Sequence, residues 1–344
     1  MSAFSSKVLV VGMDGLRFDR LIAVNPPVLS GLMSSGAYGT SKLPYGEAGT
    51  PRTESPGEII PEVTEATEAT EATEAAEATE AAGVLGVREA AGVPGVSGAG
   101  EVSGGGGGRV IRSRTDSGPG WSSIATGVWP DKHGVVDNGF AAAQFAKFPD
   151  FLTRAKQARP TLTTAAFFSW AALAEQGAFG PAIDHRFVLD GYAIGWSTAD
   201  KQVAEAAGLH LKEADPDATF VYLGDTDEVA HDLGPHCPEY TEALQTQDAY
   251  LGRLLDTIRA RPSYPNERWT VLVTTDHGHV DEGGHGGTSD EERTVFVIVN
   301  RLGEDLRGRG LGEPRPVDVG PTALAVLGVD VDPAWNLDGR PLET

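Results

Sequence analysis

Trp269-Thr-Val-Leu-Val-Thr-Thr-Asp276-His277-Gly-His279-Val-Asp-Glu-Gly-Gly-His285-Gly-Gly287 joins an apolar run to a cluster of ligand-type side chains. The run from Trp269 to Val273 has the composition of a buried strand. Asp276 and His277 follow it, and His285 sits inside a glycine cluster. Carboxylate and imidazole hold divalent metals of the zinc type, and glycines let a backbone fold tightly around an ion. Open α/β sheets place their active sites just past strand ends. Taken alone, an Asp-His pair after a strand reads first as a turn with a hydrogen-bonded histidine. A metal site needs further ligands from elsewhere in the chain.

Working outward, strands alternate with helices. Strands are expected near Lys7 to Val11, Thr164 to Phe168, Thr219 to Leu223, Thr270 to Thr274 and Val295 to Val299. An extended segment from Ala37 to Leu43 is expected to resume at Val110-Ile-Arg112. Helices are expected over Phe18 to Ser34, broken at Asn25-Pro-Pro27, and from Gly120 to Thr126. Others run over Asp150 to Ala158, Asp200 to Glu213, Pro238 to Arg261 and Gly320 to Leu327. This alternation predicts an α/β fold, a mostly parallel central sheet with helices on both faces.

The chain has 344 residues, read as a single catalytic domain over 1–344. Residues 46–108 interrupt it. This stretch holds 12 Glu against 2 Arg, a Thr-Glu-Ala repeat and a terminal glycine run. It offers almost nothing large to bury, so a disordered insertion is expected. The net charge of -22 argues against nucleic acid or anionic membrane as partners. No apolar run is long enough to span a membrane, and the N-terminus lacks signal-peptide features, so a cytoplasmic location is expected. One cysteine, Cys237, excludes an internal disulfide and any cysteine-rich metal site.

Other strand ends repeat the chemistry. Asp14 follows the first strand. Asp227 and His231 follow Val221-Tyr-Leu-Gly and stand one helical turn apart, so both can face one ion. With Asp276, His277 and His285 this makes three carboxylates and three imidazoles, enough for two ions of the kind that clamp the oxygens in phosphoryl displacement. Ser117, before Gly-Pro-Gly at a helix start, lies where backbone N–H groups favour an anion. It is a candidate nucleophile activated by metal, or simply a helix N-cap.

The order Asp14, Ser117, Asp227-x-x-x-His231, Asp276-His277, His285 resembles the alkaline phosphatase superfamily, in its type I phosphodiesterase/nucleotide pyrophosphatase branch. Thr126-Gly-Val-Trp-Pro-Asp-Lys-His133-Gly is similar to a motif of that branch, and Asp318-Val-Gly-Pro-Thr to its C-terminal helix. The resemblance covers nearly the whole chain except the insertion. It implies an alkaline phosphatase-like fold and two divalent ions, zinc being expected and manganese having similar ligand preferences. It also implies that Asp227, His231 and His285 hold one ion and Asp14, Ser117, Asp276 and His277 the other. Asn138 would donate to a phosphoryl oxygen, and His133 would be structural. The chain departs from the family pattern in having Gly118, Gly120 and Trp121 just after the nucleophile.

The expected activity is hydrolysis of a phosphoester through a covalent phosphoseryl intermediate, of phosphodiesterase/nucleotide pyrophosphatase type. The substrate would be a small phosphorylated molecule, with a nucleotide as one candidate. The nearest alternative is a phosphomonoesterase, for which no arginine is clearly placed to grip a terminal phosphate dianion, though Arg112 and Arg114 lie close to Ser117. A sulfatase requires an Arg where Trp121 stands. A non-catalytic metal-binding module would not need Ser117. His279, Asp281 and Glu282 could orient ligands or be loop residues. Trp121, Phe140 and Tyr45 could line a pocket or the core. His236 reads as exposed loop.

Overall fold

A computed structural model describes residues 4–47 and 109–343. Apart from Gly46 and Glu47, which close a short strand, the expected insertion lies outside the described residues. The strands are β1 (Ser5–Met13), β2 (Ala37–Lys42), β3 (Tyr45–Glu47), β4 (Val110–Arg112), β5 (Thr164–Phe168), β6 (His185–Val188), β7 (Ala218–Leu223), β8 (Glu267–Thr274) and β9 (Thr294–Arg301). The main helices are α1 (Phe18–Val24), α2 (Pro27–Ser35), α3 (Ser117–Thr126), α4 (Phe151–Ala158), α5 (Trp196–Glu213), α6 (Asp225–Leu233), α7 (Pro238–Arg259) and α8 (Val319–Val326).

Seven strands form one sheet in the order β2-β9-β8-β1-β7-β5-β6. β8, β1, β7, β5 and β6 run parallel, and β9 is antiparallel to both neighbours. The fold is the mostly parallel α/β architecture expected from the alternation. Alternate side chains of β1 enter opposite cores. Val8 and Val10 face a layer with Trp121, Phe151 and Leu324. Leu9 and Val11 face one with Leu29, Leu211 and Leu251. Burial on both faces explains why the central strands read as continuous apolar runs.

Three local expectations change. Val110–Arg112 does not extend β2. It pairs antiparallel with β3 in a separate two-stranded sheet, because Leu43 and Pro44 turn the chain off the sheet edge. α3 begins at Ser117 rather than Gly120, since Pro119 is tolerated in a first turn where N–H groups lack intrahelical partners. α5 begins at Trp196, one turn before Asp200. Asn25 does break the first helix, as a left-handed cap before Pro26. Cys237 caps α7, its Sγ accepting from Tyr240 N–H at 3.2 Å. Among the described residues no helix is long and apolar enough to cross a membrane.

The strand order matters for chemistry. β8, β1 and β7 are adjacent, so the segments leaving their carboxyl ends emerge side by side. Those segments carry Asp276/His277, Asp14 and Asp227/His231 respectively.

Candidate metal centre and nucleophile

Residues far apart in sequence meet at this sheet edge. Asp14, Asp276 and His277 form one compact group of ligand atoms, and Asp227, His231 and His285 form a second. A third combination, Asp227, His277 and His279, lies between them. Ser117 stands at the first position of α3, buried, with Oγ 3.2 Å from His277 Nε2. All seven residues expected at the metal centre therefore converge.

The hydrogen-bond chemistry shows what the first group lacks. His277 Nδ1 lies 3.0 Å from its neighbour's carbonyl, Gly278 O, and must carry a proton to bond there. A neutral ring then presents a lone pair at Nε2. That lone pair is 3.4 Å from Asp14 Oδ1 and 3.4 Å from Asp276 Oδ2. Both carboxylate oxygens are buried without any hydrogen-bond partner. Two bare carboxylate oxygens and an imidazole nitrogen that receives only the Ser117 hydroxyl thus face one another in a buried site, an arrangement that protonation of a carboxylate or a bound cation must relieve. The residues fit a divalent ion of the zinc type, with mixed oxygen and nitrogen donors.

The second group has the same character. His285 Nε2 and His231 Nε2 approach to 2.8 Å, and His231 Nε2 is 3.4 Å from Asp227 Oδ2. Gly283, Gly284 and Gly286 all have positive φ, between 83° and 104°, which is how so short a loop returns His285 to the site.

Charge states follow from burial and neighbours. Burial, then the Asp227 charge, pushes Asp14 up to about 7. Burial and the Asp14 charge push Asp276 well above the usual carboxylate range. Burial also raises Asp227, but hydrogen bonds from His231 and His279 outweigh it and hold Asp227 well below that range. Burial holds His277 well below its ordinary value and brings His285 down to about 4. The hydrogen bond to Asp227 raises His231. Carboxylates crowded this closely resist joint ionisation, and a bound cation would relieve that.

The glycines after Ser117 have a steric cause. A Cβ on Gly118 would lie 2.7 Å from Asp137 O and 3.0 Å from Asn138 Oδ1, and one on Gly120 would lie 2.7 Å from Asp276 Cβ. Asn138 Oδ1 accepts from Gly118 N–H at 2.7 Å, which fixes the amide beside Ser117 with its NH2 free to donate. His133 is fully buried. Its Nδ1 accepts from Val135 N–H at 3.1 Å, and Nε2 lies 3.0 Å from Ser123 Oγ on α3. It braces the nucleophile's helix and belongs to none of the ligand groups.

Other candidates separate. His279 is fully buried, with Nε2 2.9 Å from Asp227 Oδ1, so it orients a ligand carboxylate. Asp281 instead accepts from Arg17 Nη1 at 2.6 Å and lies 2.9 Å from His236 Nε2, which ties the loop down from outside. Trp121 and Phe140 are 0% and 5% exposed, which places them in the core rather than a pocket wall. Tyr45 lies half-buried in β3. Asp200 has no local signal in the sequence, yet it cradles the start of α6. Its carboxylate accepts from Gly224 N–H, Asp225 N–H, Ser169 Oγ–H and Gln247 Nε2–H, partners 24, 25, 31 and 47 residues away.

The family profile of type I phosphodiesterase / nucleotide pyrophosphatase matches residues 114–290, from just before Ser117 to just past His285. The chain belongs to this family. Among curated relatives, the phosphodiesterase-family chain is 24% identical over 158 residues to GPI ethanolamine phosphate transferase 2, catalytic subunit, of Homo sapiens. That match covers 43% of this chain and 16% of the relative. The fold is similar to that of murine ectonucleotide pyrophosphatase/phosphodiesterase 5, at 13% identity and a TM-score of 0.57 over 96% of this chain and 98% of that one. An inactive form of the murine protein in complex with AMP aligns at 14% identity and a TM-score of 0.56, over 95% and 96% of the two chains. A 2-O GAG sulfatase aligns at 11% identity and a TM-score of 0.55, covering 99% of this chain and 76% of that one.

Proposed function

We propose that this phosphodiesterase-family chain is a two-metal phosphodiesterase that cleaves phosphoester or phosphoanhydride bonds through Ser117. The observation that carries the reading is the meeting of the Asp14 and Asp276 oxygens, the His277 lone pair and the Ser117 hydroxyl. Asp14, Asp276 and His277, with Ser117, would hold one ion, and Asp227, His231 and His285 the other. When bound, the ions supply positive charge that favours the Ser117 alkoxide and offsets charge on the phosphoryl and leaving oxygens.

Ser117 Oγ forms a bond to phosphorus while the bond to the leaving oxygen breaks, and the serine proton passes to solvent. The leaving oxygen takes up a proton from solvent; water then attacks the phosphoseryl intermediate, giving up a proton as Oγ departs and regains one. The start of α3 favours anionic charge at Ser117, and the free NH2 of Asn138 donates to a non-bridging phosphoryl oxygen. The AMP complex of the murine neighbour supports a nucleotide among the substrates.

A diester is favoured over a monoester because Arg114, the arginine three residues before Ser117, has its Nε turned to Asp116 at 2.9 Å. A second reading, transfer of the phosphoryl group to an alcohol instead of water, is favoured by the human transferase relative. Turnover of bis-p-nitrophenyl phosphate, p-nitrophenyl phosphate and a dinucleotide tests the proposal. Diester cleavage above monoester cleavage is expected, and the reverse order would overturn it. Added alcohols that raise product release without raising free phosphoester would favour transfer.

A further inference from the structure

Two buried donors from different elements converge on a single oxygen of Asp14. Tyr222, on β7, donates its hydroxyl to Oδ2, and Trp121, on α3, donates Nε1–H to the same oxygen at 2.9 Å. Neither residue reaches solvent, at 1% and 0% exposure. The other oxygen, Oδ1, has no partner and faces His277 Nε2. The carboxylate's two oxygens are therefore sorted, one saturated by neutral donors and one left bare.

The surroundings enforce this. The Trp121 ring occupies the space that a Cβ on Gly12 would take, 2.2 Å from the nearest ring atom, so β1 admits the indole only because residue 12 is glycine. Trp121 meets the Tyr222 ring edge-on, with centroids 5.1 Å apart and planes at 77°. β1, β7 and α3 thus lock together around Asp14. Ser117 lies one turn before Trp121 on the same helix.

We propose that Tyr222 and Trp121 are positioning residues that commit Asp14 Oδ2 to hydrogen bonding, so that Asp14 offers an ion Oδ1 alone. Through Trp121, the same contact sets where Ser117 stands relative to that ion. The proposal rests on the metal reading above. Partners that orient a ligand carboxylate are worth roughly 10–100-fold in metal affinity when removed.

The test is a cobalt(II) titration of the metal-stripped full chain against a competing chelator, with visible absorption recorded. It compares wild type with Tyr222→Phe, which deletes one oxygen, and with Trp121→Phe. Each is also placed in a His231→Ala background to isolate the Asp14 group. Wild type should bind two ions. Tyr222→Phe should weaken the Asp14 site by roughly 10–100-fold, alter that cobalt's absorption band, and leave the Asp227 site unchanged. Trp121→Phe should shift the same site in the same direction. Unchanged affinity and spectrum in Tyr222→Phe would overturn the proposal, as would equal weakening at both sites. Failure of wild type to bind cobalt would instead overturn the metal reading itself, which the variant-to-wild-type ratio does not touch.

Discussion

His133 should make the protein acid-sensitive in a way that one substitution can isolate. Burial lowers its imidazole to about 3 in the folded chain, against 6.5 for the free group. In an unfolded chain the ring takes a proton near its ordinary value. The stabilisation is therefore fully present above 6.5 and is lost as pH falls towards about 3. At about pH 5 the unfolded state is favoured by roughly 1.5 decades of proton binding, or about 2 kcal/mol relative to about pH 7.5. Asn is the informative replacement, because its Oδ1 can accept from Val135 N–H as Nδ1 does, while the Ser123 contact is lost. His133→Asn should cost about 1–3 kcal/mol at both pH values, and this common loss cancels in the difference. Urea unfolding of the chelator-treated chain should show the drop between the two pH values smaller by about 2 kcal/mol in the variant. At an m-value of roughly 3 kcal/mol/M this is about 0.7 M in midpoint. An equal pH-dependent drop in both proteins would refute the assignment of a neutral, buried brace.

Further outcomes follow from the site. Gly120→Ala, whose new Cβ would press on Asp276 Cβ at 2.7 Å, should lower stability by about 1–3 kcal/mol and reduce bound metal to about one ion by elemental analysis. Ion binding near pH 7 should release protons, because Asp14 sits at about 7 and Asp276 well above the carboxylate range. Calorimetry in buffers of different ionisation enthalpy reads that release, and it should shrink as pH rises through the Asp14 value. Asn138→Ala should lower turnover by about 100-fold or more with metal content unchanged, measured on a diester substrate.

Much of this was legible because the central strands announce themselves. β1, β5, β7, β8 and β9 are buried on both faces, so each is a short apolar run, and three of them end in the ligand residues. The ligands were readable for the same reason, since strand order alone brings their loops together. β6 was not legible. It is a mostly exposed edge strand, His-Arg-Phe-Val, with neither alternation nor continuous apolarity. Sequence alone puts a helix start at Asp200, one turn late, because it cannot show that this carboxylate is held by partners tens of residues away. Trp121 illustrates the same blindness. Next to a nucleophile it reads as a candidate pocket wall, yet a glycine more than a hundred residues earlier makes room for it in the core.

The nucleophile is the point on which the whole account turns. Turnover of a phosphodiester by Ser117→Ala, measured on protein whose metal content is determined in the same sample, tests it most directly. Two ions per chain are expected, Asp14, Asp276 and His277 retaining theirs without the serine, with hydrolysis abolished. Two ions per chain with full diester turnover would contradict it.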